Sequence, residues 1–247
     1  MKFLLKINAI GFLTMIALAA QPAAKPMRQV RFLAVGDWPP FIQEIHDGVR
    51  YELDPPPGSI PPREVIPGFG KQTLKPVSLH LGRISDPVEL PAGAGELALR
   101  QGGGASPSTL WMRLDVPESG DFLIFLVRKS VNETWKNAAS LIVPDGSTEA
   151  PTGIVRIINL FPHSIHLLWG SEELRLPAGG TILRAANPDA DTTFQILASN
   201  EAGEMKRYYS GSVTQNQTER SIITIYQSNE EDSRRPVKVL MLREPML

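Results

Sequence analysis

Short apolar runs recur along the chain, and most of them end at Gly, Pro, Asn or Asp. The run LWMRLDV divides its side chains between two faces, with Leu110, Met112, Leu114 and Val116 on one and Trp111, Arg113 and Asp115 on the other. This alternation is the period of a β-strand with one buried face. The run DFLIFLVR, residues 121–128, is apolar without alternation and predicts a strand that is covered on both faces.

Fifteen runs of this kind are predicted as strands, and clear helical periodicity is almost absent. They are residues 30–35, 49–53, 77–81, 96–99, 110–116, 121–128, 138–143, 154–160, 165–169, 173–176, 181–184, 193–197, 206–209, 221–226 and 237–242. Ser119 and Gly120 predict a tight hairpin between two of these strands. Many short strands separated by turn residues are typical of β-sandwiches. The predicted fold class is therefore all-β, with two antiparallel β-sandwich domains.

A polar, turn-rich stretch, VPDGSTEAPTG at residues 143–153, separates the two sets of strands. Domain boundaries fall in such exposed linkers, and each side has the length of an ordinary domain. The predicted domains are residues 28–146, which include a proline-rich insert, and residues 153–245.

The two halves also resemble each other in sequence. QVRFLAVGDWPP, residues 29–40, matches IVRIINLFPHSI, residues 154–165, and VELPAGAGELALR, residues 88–100, matches LRLPAGGTILRAA, residues 174–186. We take this as an internal-repeat hypothesis. The alternative is chance, because Pro and Gly favour turns between strands in any case. If the repeat is real, the first half carries an insert, largely the stretch DPPPGSIPPREVIPGFG at residues 54–70.

The second half contains VRIINLFP at residues 155–162, LPAGG at residues 176–180 and a terminal VKVLML at residues 237–242. Through these segments, residues 153–243 resemble the immunoglobulin-like and other β-sandwich modules of exported bacterial proteins. The resemblance implies a fold and a compartment, and it transfers no catalytic residues. The Cys and Trp framework of antibody domains is missing, so the likeness concerns architecture.

The N-terminus has the pattern of a cleaved signal peptide. Lys2 and Lys6 precede an apolar run over residues 10–20, and Ala17-Leu18-Ala19 supplies the small residues that a signal peptidase accepts. A membrane anchor is the alternative, but the run is shorter than the roughly 20 apolar residues that cross a bilayer. Residues 1–19 are therefore predicted to be removed, which indicates a periplasmic or secreted bacterial protein.

Composition narrows the possible partners and the means of stabilisation. The chain has 0 cysteines, so neither a disulfide nor a lipid-modified cysteine is available. Its formal net charge is −1, which does not favour nucleic acid or anionic lipid as a partner. No second apolar stretch is long enough to span a membrane, and we expect none after cleavage of the signal peptide.

The stretch RFLAVGDWPPF, residues 31–41, resembles the opening of the calcineurin-like metallophosphatases, including the purple acid phosphatases. In that family an aspartate just past a buried strand holds a metal, which would be Asp37 here. Two adjacent cations need six or more N and O ligands in one cleft. The histidines, His46, His80, His163 and His166, lack the required setting. We therefore predict that Asp37 forms a turn, and that the protein has no metal site and no cofactor.

Other catalytic patterns are weak. His163 and His166 have an odd spacing that sends them to opposite faces of a strand. The chain has no G-x-S-x-G and no P-loop, and QGGGASPS, residues 101–108, lacks the Lys that a phosphate loop needs. Acid pairs such as Glu52 with Asp54, or Glu172 with Glu173, could serve a glycosidase, so a hydrolase stays open. No catalytic residue is assigned.

Aromatic and proline-rich segments carry the binding signal. The candidate binding residues are Trp38, Pro39, Phe41, Pro55, Pro56, Pro57, Trp111 and Trp135. Flat aromatic side chains on loops stack on sugar rings or anchor a peptide. Prolines lack an N–H, so residues 55–67 are predicted to form a stiff loop on the surface or along a sheet edge. The alternative is that these aromatics pack under loops and that the insert only fixes the junction between domains.

These observations favour an exported, non-catalytic protein that binds a protein or glycan partner in the cell envelope, for assembly or adhesion. One alternative is a hydrolase with carboxylates in a cleft between the domains, which a deep pocket lined by Trp and acids would favour. The other is a periplasmic chaperone, which a long free edge strand beside paired basic residues would favour. The sequence leaves the oligomeric state open.

Overall fold

The computed structural model describes residues 26–93, 95–102, 108–130, 132–188, 190–200, 202–230 and 233–245. The predicted signal peptide and residues 103–107 of the glycine-rich stretch lie outside these ranges. Over the described residues the chain forms nineteen strands and one short 3-10 helix, so the all-β sandwich prediction is confirmed. No helix in this part of the chain is long and apolar enough to cross a membrane.

All fifteen predicted segments overlap observed strands. In the first half the elements are β1 Met27–Val35, β2 Gln43–His46, β3 Val49–Glu52, β4 Glu64–Phe69, β5 Gln72–Thr73, β6 Val77–Ser78, β7 Val88–Pro91, β8 Gly95–Gln101, β9 Thr109–Val116, β10 Phe122–Arg128, the 3-10 helix η1 Trp135–Asn137 and β11 Ala138–Pro144. In the second half they are β12 Ile154–Asn159, β13 Ile165–Trp169, β14 Glu172–Leu176, β15 Thr181–Ala185, β16 Thr192–Ser199, β17 Met205–Val213, β18 Glu219–Gln227 and β19 Val237–Pro245.

Each half folds into two facing sheets that follow one strand order. The first half has a sheet β11-β10-β1-β7 opposite a sheet β5-β4-β8-β9, and the second half has β15-β12-β18-β19 opposite β14-β13-β16-β17. Pairing is antiparallel except for one parallel pair in each half, β1 with β10 and β12 with β18. Strand β1 therefore corresponds to β12, β10 to β18, β11 to β19, β8 to β16 and β9 to β17.

The strand registers extend this correspondence to single residues. Arg31 lies opposite Leu123, which lies opposite Val143. Arg156 lies opposite Ile222, which lies opposite Leu242. The equivalent pairs are therefore Arg31 with Arg156, Leu123 with Ile222, Val143 with Leu242 and, two residues on, Asp145 with Glu244. A common origin of the halves stays a prediction.

The second sequence match between the halves is wrong. Leu90 lies in β7, which pairs with β1, whereas Leu176 lies in β14, which pairs with β13 in the opposite sheet. The strand order makes β7 equivalent to β15, so the two Leu-Pro-Ala-Gly stretches occupy different corners. Turns between strands select the same residue types wherever they occur, which explains the misleading match.

Each half has its own core between its two sheets. In the first half this core includes Phe32, Leu97 and Ile124, which come from β1, β8 and β10 and are fully buried. In the second half Leu167 and Phe194 lie in the corresponding core. Both cores consist of side chains at alternate positions along the strands, as the period of a strand requires.

A third apolar cluster joins the two sandwiches. Leu33, Val35, Leu123, Phe125 and Val143 of the first half pack with Ile158 and Ile222 of the second half, with Leu240 and Leu242 partly buried against them. These side chains come from the outer faces of the β1–β10 and β12–β18 sheets. The central strands are therefore covered on both sides, which confirms the prediction from DFLIFLVR.

The stiff-loop prediction for residues 55–67 is wrong over residues 64–67, which belong to β4. Pro67 lies opposite Leu99 of β8, in the interior of the strand. On its other side, β4 pairs with two short strands, β6 at Glu64 and Val65 and β5 at Gly68 and Phe69. Pro67 lies between these two pairings, so neither strand requires an N–H from it. Proline is tolerated at such an interruption of a ladder.

The predicted hairpin through Ser119 and Gly120 is also wrong, because β9 and β10 belong to opposite sheets. The connection instead carries the chain across the sandwich. Buried Arg28 holds this crossing, since its guanidinium donates to the carbonyl of Pro117 and, at 2.8 Å, to that of Gly93.

A β-bulge changes the predicted face of Trp111. Leu99 pairs with Met112 while the next residue, Arg100, pairs with Leu110, so Trp111 is the extra residue. Bulges redirect side chains, and here Trp111 packs against the first core while Leu110 is 42% exposed. The predicted alternation holds from Met112 onward, since Met112 packs against the first core and Leu114 and Val116 are buried, and it is wrong for Leu110 and Trp111.

Candidate functional site

Strands β2 and β3 form a separate two-stranded hairpin within the connection from β1 to β4. The turn is Asp47-Gly48, with φ of 52° and 78°, the left-handed conformation that tight hairpin turns need. The equivalent connection in the second half covers only residues 160–164. The hairpin is therefore an insertion into the first sandwich, and the Asp-Gly pair was the sequence signal that could have found it.

The exposed apolar surface of the protein is concentrated on and beside this hairpin. Among the described residues, eleven large apolar side chains are exposed, and seven lie between residues 38 and 53: Trp38, Phe41, Ile42, Ile45, Val49, Tyr51 and Leu53. We call these seven residues the hairpin surface. Trp38 is 64% exposed and Ile45 is 65% exposed. Exposed apolar side chains concentrated in one place are typical of contact sites.

The two faces of the hairpin differ. Glu44 lies opposite Tyr51, and His46 lies opposite Val49, so these four side chains share one face. The His46 and Tyr51 rings lie 5.8 Å apart, and His46 Nε2 lies 3.0 Å from a carboxylate oxygen of Glu44. The other face carries Ile45 beside Arg50. Both faces thus combine apolar contact area with charged groups at the rim.

A groove of about 580 Å³ runs between the base of the hairpin and the first sandwich. Its apolar walls include Trp38, Leu53, Pro55 and Ile60. The structure therefore brings two of the predicted binding residues, Trp38 and Pro55, to one site. Pro39 is half-buried, and Phe41, Pro56 and Pro57 are exposed nearby in the chain.

The proline-rich segment beside the groove is fixed to the first sandwich. The carbonyl of Gly58 accepts a hydrogen bond of 2.9 Å from the backbone N–H of Trp135. Gly58 has φ of 79°, and a Cβ there would lie 2.9 Å from Cβ of Thr134, so only glycine fits this close approach. Pro61 is buried. The anchors of this segment thus lie in the first domain rather than at the domain junction.

Two of the predicted surface tryptophans are not available to a partner. Trp135 is 1% exposed and belongs to the first core, so the expectation of an exposed side chain is wrong. Trp111 is half-buried, and its Nε1 donates a 2.7 Å hydrogen bond to the carbonyl of Trp135. The polar sequence around Trp135 gave no sign of burial, because one side chain in a short helical turn has no periodicity.

Asp37 anchors the start of the hairpin connection to the second sandwich. Its carboxylate accepts hydrogen bonds from the Tyr226 hydroxyl at 3.0 Å, the Ser228 hydroxyl at 2.9 Å, the Asn229 backbone N–H at 2.8 Å and the Lys238 ammonium at 2.9 Å. Its side chain is 10% exposed. The prediction of a simple turn former is therefore wrong. We call this arrangement the Asp37 clamp.

The clamp stabilises the charged form of Asp37. Burial alone acts to raise the pKa of Asp37, but the hydrogen bonds from Lys238, Asn229, Ser228 and Tyr226 outweigh it and lower the pKa below its usual value. Burial and the negative charge of Asp37 together raise the pKa of the Tyr226 hydroxyl. The clamp therefore keeps an ionised carboxylate at the junction of the two sandwiches.

A second charged cluster closes the other end of the junction. Arg31 bonds to both Asp145 and Glu244, with Nε 2.9 Å from Asp145, and Arg156 lies 3.5 Å from Asp145. Arg220 lies 3.8 Å from each of the two acids. Arg31 is equivalent to Arg156, and Asp145 is equivalent to Glu244. The Arg31–Glu244 contact and the Arg156–Asp145 contact are therefore equivalent, one with its arginine in the first sandwich and one with its arginine in the second. The junction thus has the reciprocal contacts of a two-fold interface.

The acid pairs considered for a hydrolase have surface settings. Asp54 is 90% exposed at its side chain and pairs with Arg63 at 3.1 Å. Glu172 and Glu173 also lie on the surface, where they pair with Arg184 and His166. A general acid usually needs a buried carboxylate, which neither pair offers. In the part of the chain that the structure describes, no group of three or more His, Cys, Asp or Glu side chains could hold a metal ion.

No known protein family matches the chain, and no curated protein matches it at a significant level.

Proposed function

We propose that the protein is an exported, non-catalytic binding protein whose contact site is the hairpin surface. The observation that carries this proposal is the concentration of exposed apolar side chains on an insertion that the second sandwich lacks. Burying such side chains contributes about 25 cal/mol per Å² of apolar area removed from water. The function is to hold a partner in the cell envelope, in assembly or adhesion.

The composition of the hairpin surface favours a protein partner over a glycan. Ile42, Ile45 and Val49 are aliphatic side chains, which pack against other apolar side chains but offer no flat face to a sugar ring. Trp38 and Tyr51 supply the aromatic anchors that dominate binding energy in protein interfaces. Charged residues at the rim of the hairpin are suited to selecting the partner.

Rigid anchoring supports this role. The Asp37 clamp fixes the residue before Trp38, and the Gly58 to Trp135 hydrogen bond fixes the proline segment on the other side of the hairpin. A surface held in place at both ends loses less conformational entropy when it binds. The groove between them then presents Trp38 in a defined position.

The two alternative functions have less support. The groove holds Trp38 with Glu52 and Asp54, but it is open and its acids are exposed, so the site lacks the buried acid that hydrolysis needs. For a chaperone, β17 is an edge strand that carries Lys206 and Arg207. A bulge at residue 208 interrupts its ladder, and bulges protect an edge from strand addition.

Export and the likeness of residues 153–243 to bacterial immunoglobulin-like modules are parts of the same proposal. The signal-peptide pattern of residues 1–19 supports export, and the segments VRIINLFP, LPAGG and VKVLML support the likeness. Intact-mass measurement on the envelope fraction tests export, with cleavage expected near Ala19. A mass that still includes Met1 would contradict it.

Photo-crosslinking from the hairpin tests the binding proposal. A benzoylphenylalanine at position 45 or 51 should give a discrete adduct with one envelope protein in living cells. The same group at Leu183, which is 39% exposed on the second sandwich, is the matched control and should not give that adduct. Trp38→Ala should reduce the adduct several-fold without loss of folded protein. An adduct that is equally strong from Leu183, or unchanged by Trp38→Ala, would contradict the proposal.

A further inference from the structure

Strand β3 of the hairpin has a free edge. Among the described residues, β2 and β3 pair only with each other. The Leu53 backbone N–H donates to the Ile42 carbonyl at 3.0 Å, which directs the backbone polar groups of Leu53 toward β2. Because these groups alternate in direction along an antiparallel ladder, Arg50 and Glu52 direct their N–H and C=O groups away from β2. A two-stranded hairpin alone is marginally stable in water, so a further strand on this edge would complete it.

The edge of β3 is open, and its charges are unpaired. Strand β3 is exposed along its whole length, and Glu52 and Leu53 line the groove of about 580 Å³. In the described part of the chain, neither Arg50 nor Glu52 forms an ion pair. Strand β2 differs, because its Glu44 and His46 side chains bond to each other at 3.0 Å. Of the two edges, β3 therefore offers the charges that a partner strand can pair.

The side chains of β3 are complementary to a second copy of the same strand. When two β3 strands pair antiparallel around Tyr51, Arg50 of each copy lies opposite Glu52 of the other. Opposite charges that face each other across two strands stabilise the pairing. Tyr51 then faces Tyr51 of the second copy at the closest approach of an antiparallel pair, where two aromatic rings can contact each other. Self-complementarity of this kind is what a two-fold dimer interface requires.

The same register brings the second copy to the groove beside the hairpin. Val49 of the second copy lies opposite Leu53, which lines the groove together with Trp38. Val49, Tyr51 and Leu53 share one face of the strand, so the apolar contact continues from the centre of the pair toward the groove. Val49 is 52% exposed and Tyr51 is 51% exposed in the single chain. The pairing therefore covers apolar side chains that the hairpin otherwise leaves in water.

We propose that the hairpin surface binds a second copy of this chain, by antiparallel pairing of the two β3 strands around Tyr51. This inference rests on the proposed function, because it names the partner of the same surface. The pairing forms about four backbone hydrogen bonds between the copies. The result is one sheet, in the order β2-β3-β3-β2, shared by two chains through strand addition.

Oxidative crosslinking of single-cysteine variants tests the register directly. The chain has 0 cysteines, so any disulfide in such a variant joins two molecules. Facing residues without mutual backbone hydrogen bonds have Cα atoms about 4.5 Å apart, within the range of about 4.4–6.8 Å that a disulfide spans. Tyr51→Cys should therefore form a covalent dimer with oxidised glutathione, detected by non-reducing electrophoresis. Ile45→Cys, on β2, is the matched control and should stay monomeric. A covalent dimer from Ile45→Cys alone would overturn the pairing through β3.

Sedimentation of the purified protein over a concentration series measures the dimer without a cysteine. Arg50→Glu sets two acids opposite each other at both ends of the pair, and Glu52→Arg sets two bases there. Each variant should weaken dimerisation by about tenfold or more, because like charges that face each other repel. The double variant Arg50→Glu/Glu52→Arg restores opposite charges in the same register and should restore the dimer. Arg100→Glu makes the same charge change on β8, which has a strand on each side, and should have no effect.

The outcomes separate this partner from the proposed function. A wild-type protein that stays monomeric would overturn the proposal, as would a dimer that both single charge variants leave intact or that the double variant fails to restore. If the protein is monomeric and the photo-crosslink from position 51 captures a different protein, the contact site stands and only the second copy is refuted. Absence of both the dimer and any adduct refutes the two together.

Discussion

The carboxylate of Asp37 and the ammonium of Lys238, 2.9 Å apart, join the loop after β1 to strand β19. The pair is supported by hydrogen bonds to the same carboxylate from Tyr226 and Ser228. Asp37 directly precedes Trp38, the most exposed aromatic residue of the hairpin surface. One partly buried ion pair therefore links the packing of the two sandwiches to the position of the proposed binding site.

Removal of the Asp37 carboxylate should destabilise the protein. Asp37→Ala leaves the Lys238 ammonium and two hydroxyl groups without their acceptor, and we expect a loss of about 2–3 kcal/mol in the free energy of unfolding. Urea denaturation measures this loss. Asp54→Ala removes an exposed, paired carboxylate and should change stability by no more than about 0.5 kcal/mol. Equal stability of the two variants would show that the clamp contributes nothing.

Stability should fall in acid through the same carboxylate. Because the folded state lowers the pKa of Asp37, the unfolded chain takes up the proton more readily as the pH falls. The contribution of Asp37 is present above the unfolded pKa of about 3.9 and is lost as the pH falls through the lower folded pKa. The stability difference between wild type and Asp37→Asn should therefore shrink below about pH 4. A difference that grows in acid would contradict the sign of this shift.

Removing the Asp145 carboxylate should lower the free energy of unfolding more than removing an exposed acidic side chain. Arg31, Arg156 and Arg220 converge on Asp145, and its removal leaves Arg31 and Arg220 with Glu244 and takes away the acidic partner of Arg156. Removing one partner from a buried charged cluster costs about 3–5 kcal/mol, which we expect for Asp145→Ala in urea denaturation. Glu96→Ala breaks an exposed pair with Arg113 and is the matched control, with a change of about 0.5 kcal/mol or less.

The tryptophans should separate into a structural and a surface class. Trp135→Ala should destabilise the protein by about 3–5 kcal/mol, because it empties part of the first core. Trp38→Ala should leave the free energy of unfolding within about 0.5 kcal/mol of wild type, since its side chain is exposed. Denaturation of both variants by urea measures the contrast. A large stability loss in Trp38→Ala would mean that this side chain supports the fold.

Most of the strands were predictable from the alternation of apolar and polar residues, because burial of one face of a strand imposes a period of two on the sequence. The prediction lacks β2, β4, β5 and β7. Strand β4 contains Pro67 within its paired length, and β2 is exposed along its whole length, so no apolar alternation marks it. The double coverage of β10 was predictable because only a strand between two packed layers is apolar throughout.

The candidate site was predictable only in part. Trp38 and Pro55 were found because exposed aromatic and proline residues are local features of the sequence. The partners of Asp37 lie at residues 226–238, and a bond across that distance leaves no local pattern. The burial of Trp135 depends on Gly58 and Trp111, which are also distant in sequence. Tertiary contacts of this kind decide the role of a residue without changing its neighbours in the chain.

The reciprocal apolar junction has a consequence for synthesis. The first half leaves the ribosome before the second, with the outer face of β1 and β10 uncovered. Because the two halves present equivalent faces, the first half of another nascent chain can pack against this face in place of the chain's own second half. Covalent linkage opposes this exchange, since a short connection holds the proper partner at an effective concentration in the millimolar range. Residues 145–153 therefore serve as a tether that favours assembly within one chain over pairing between chains.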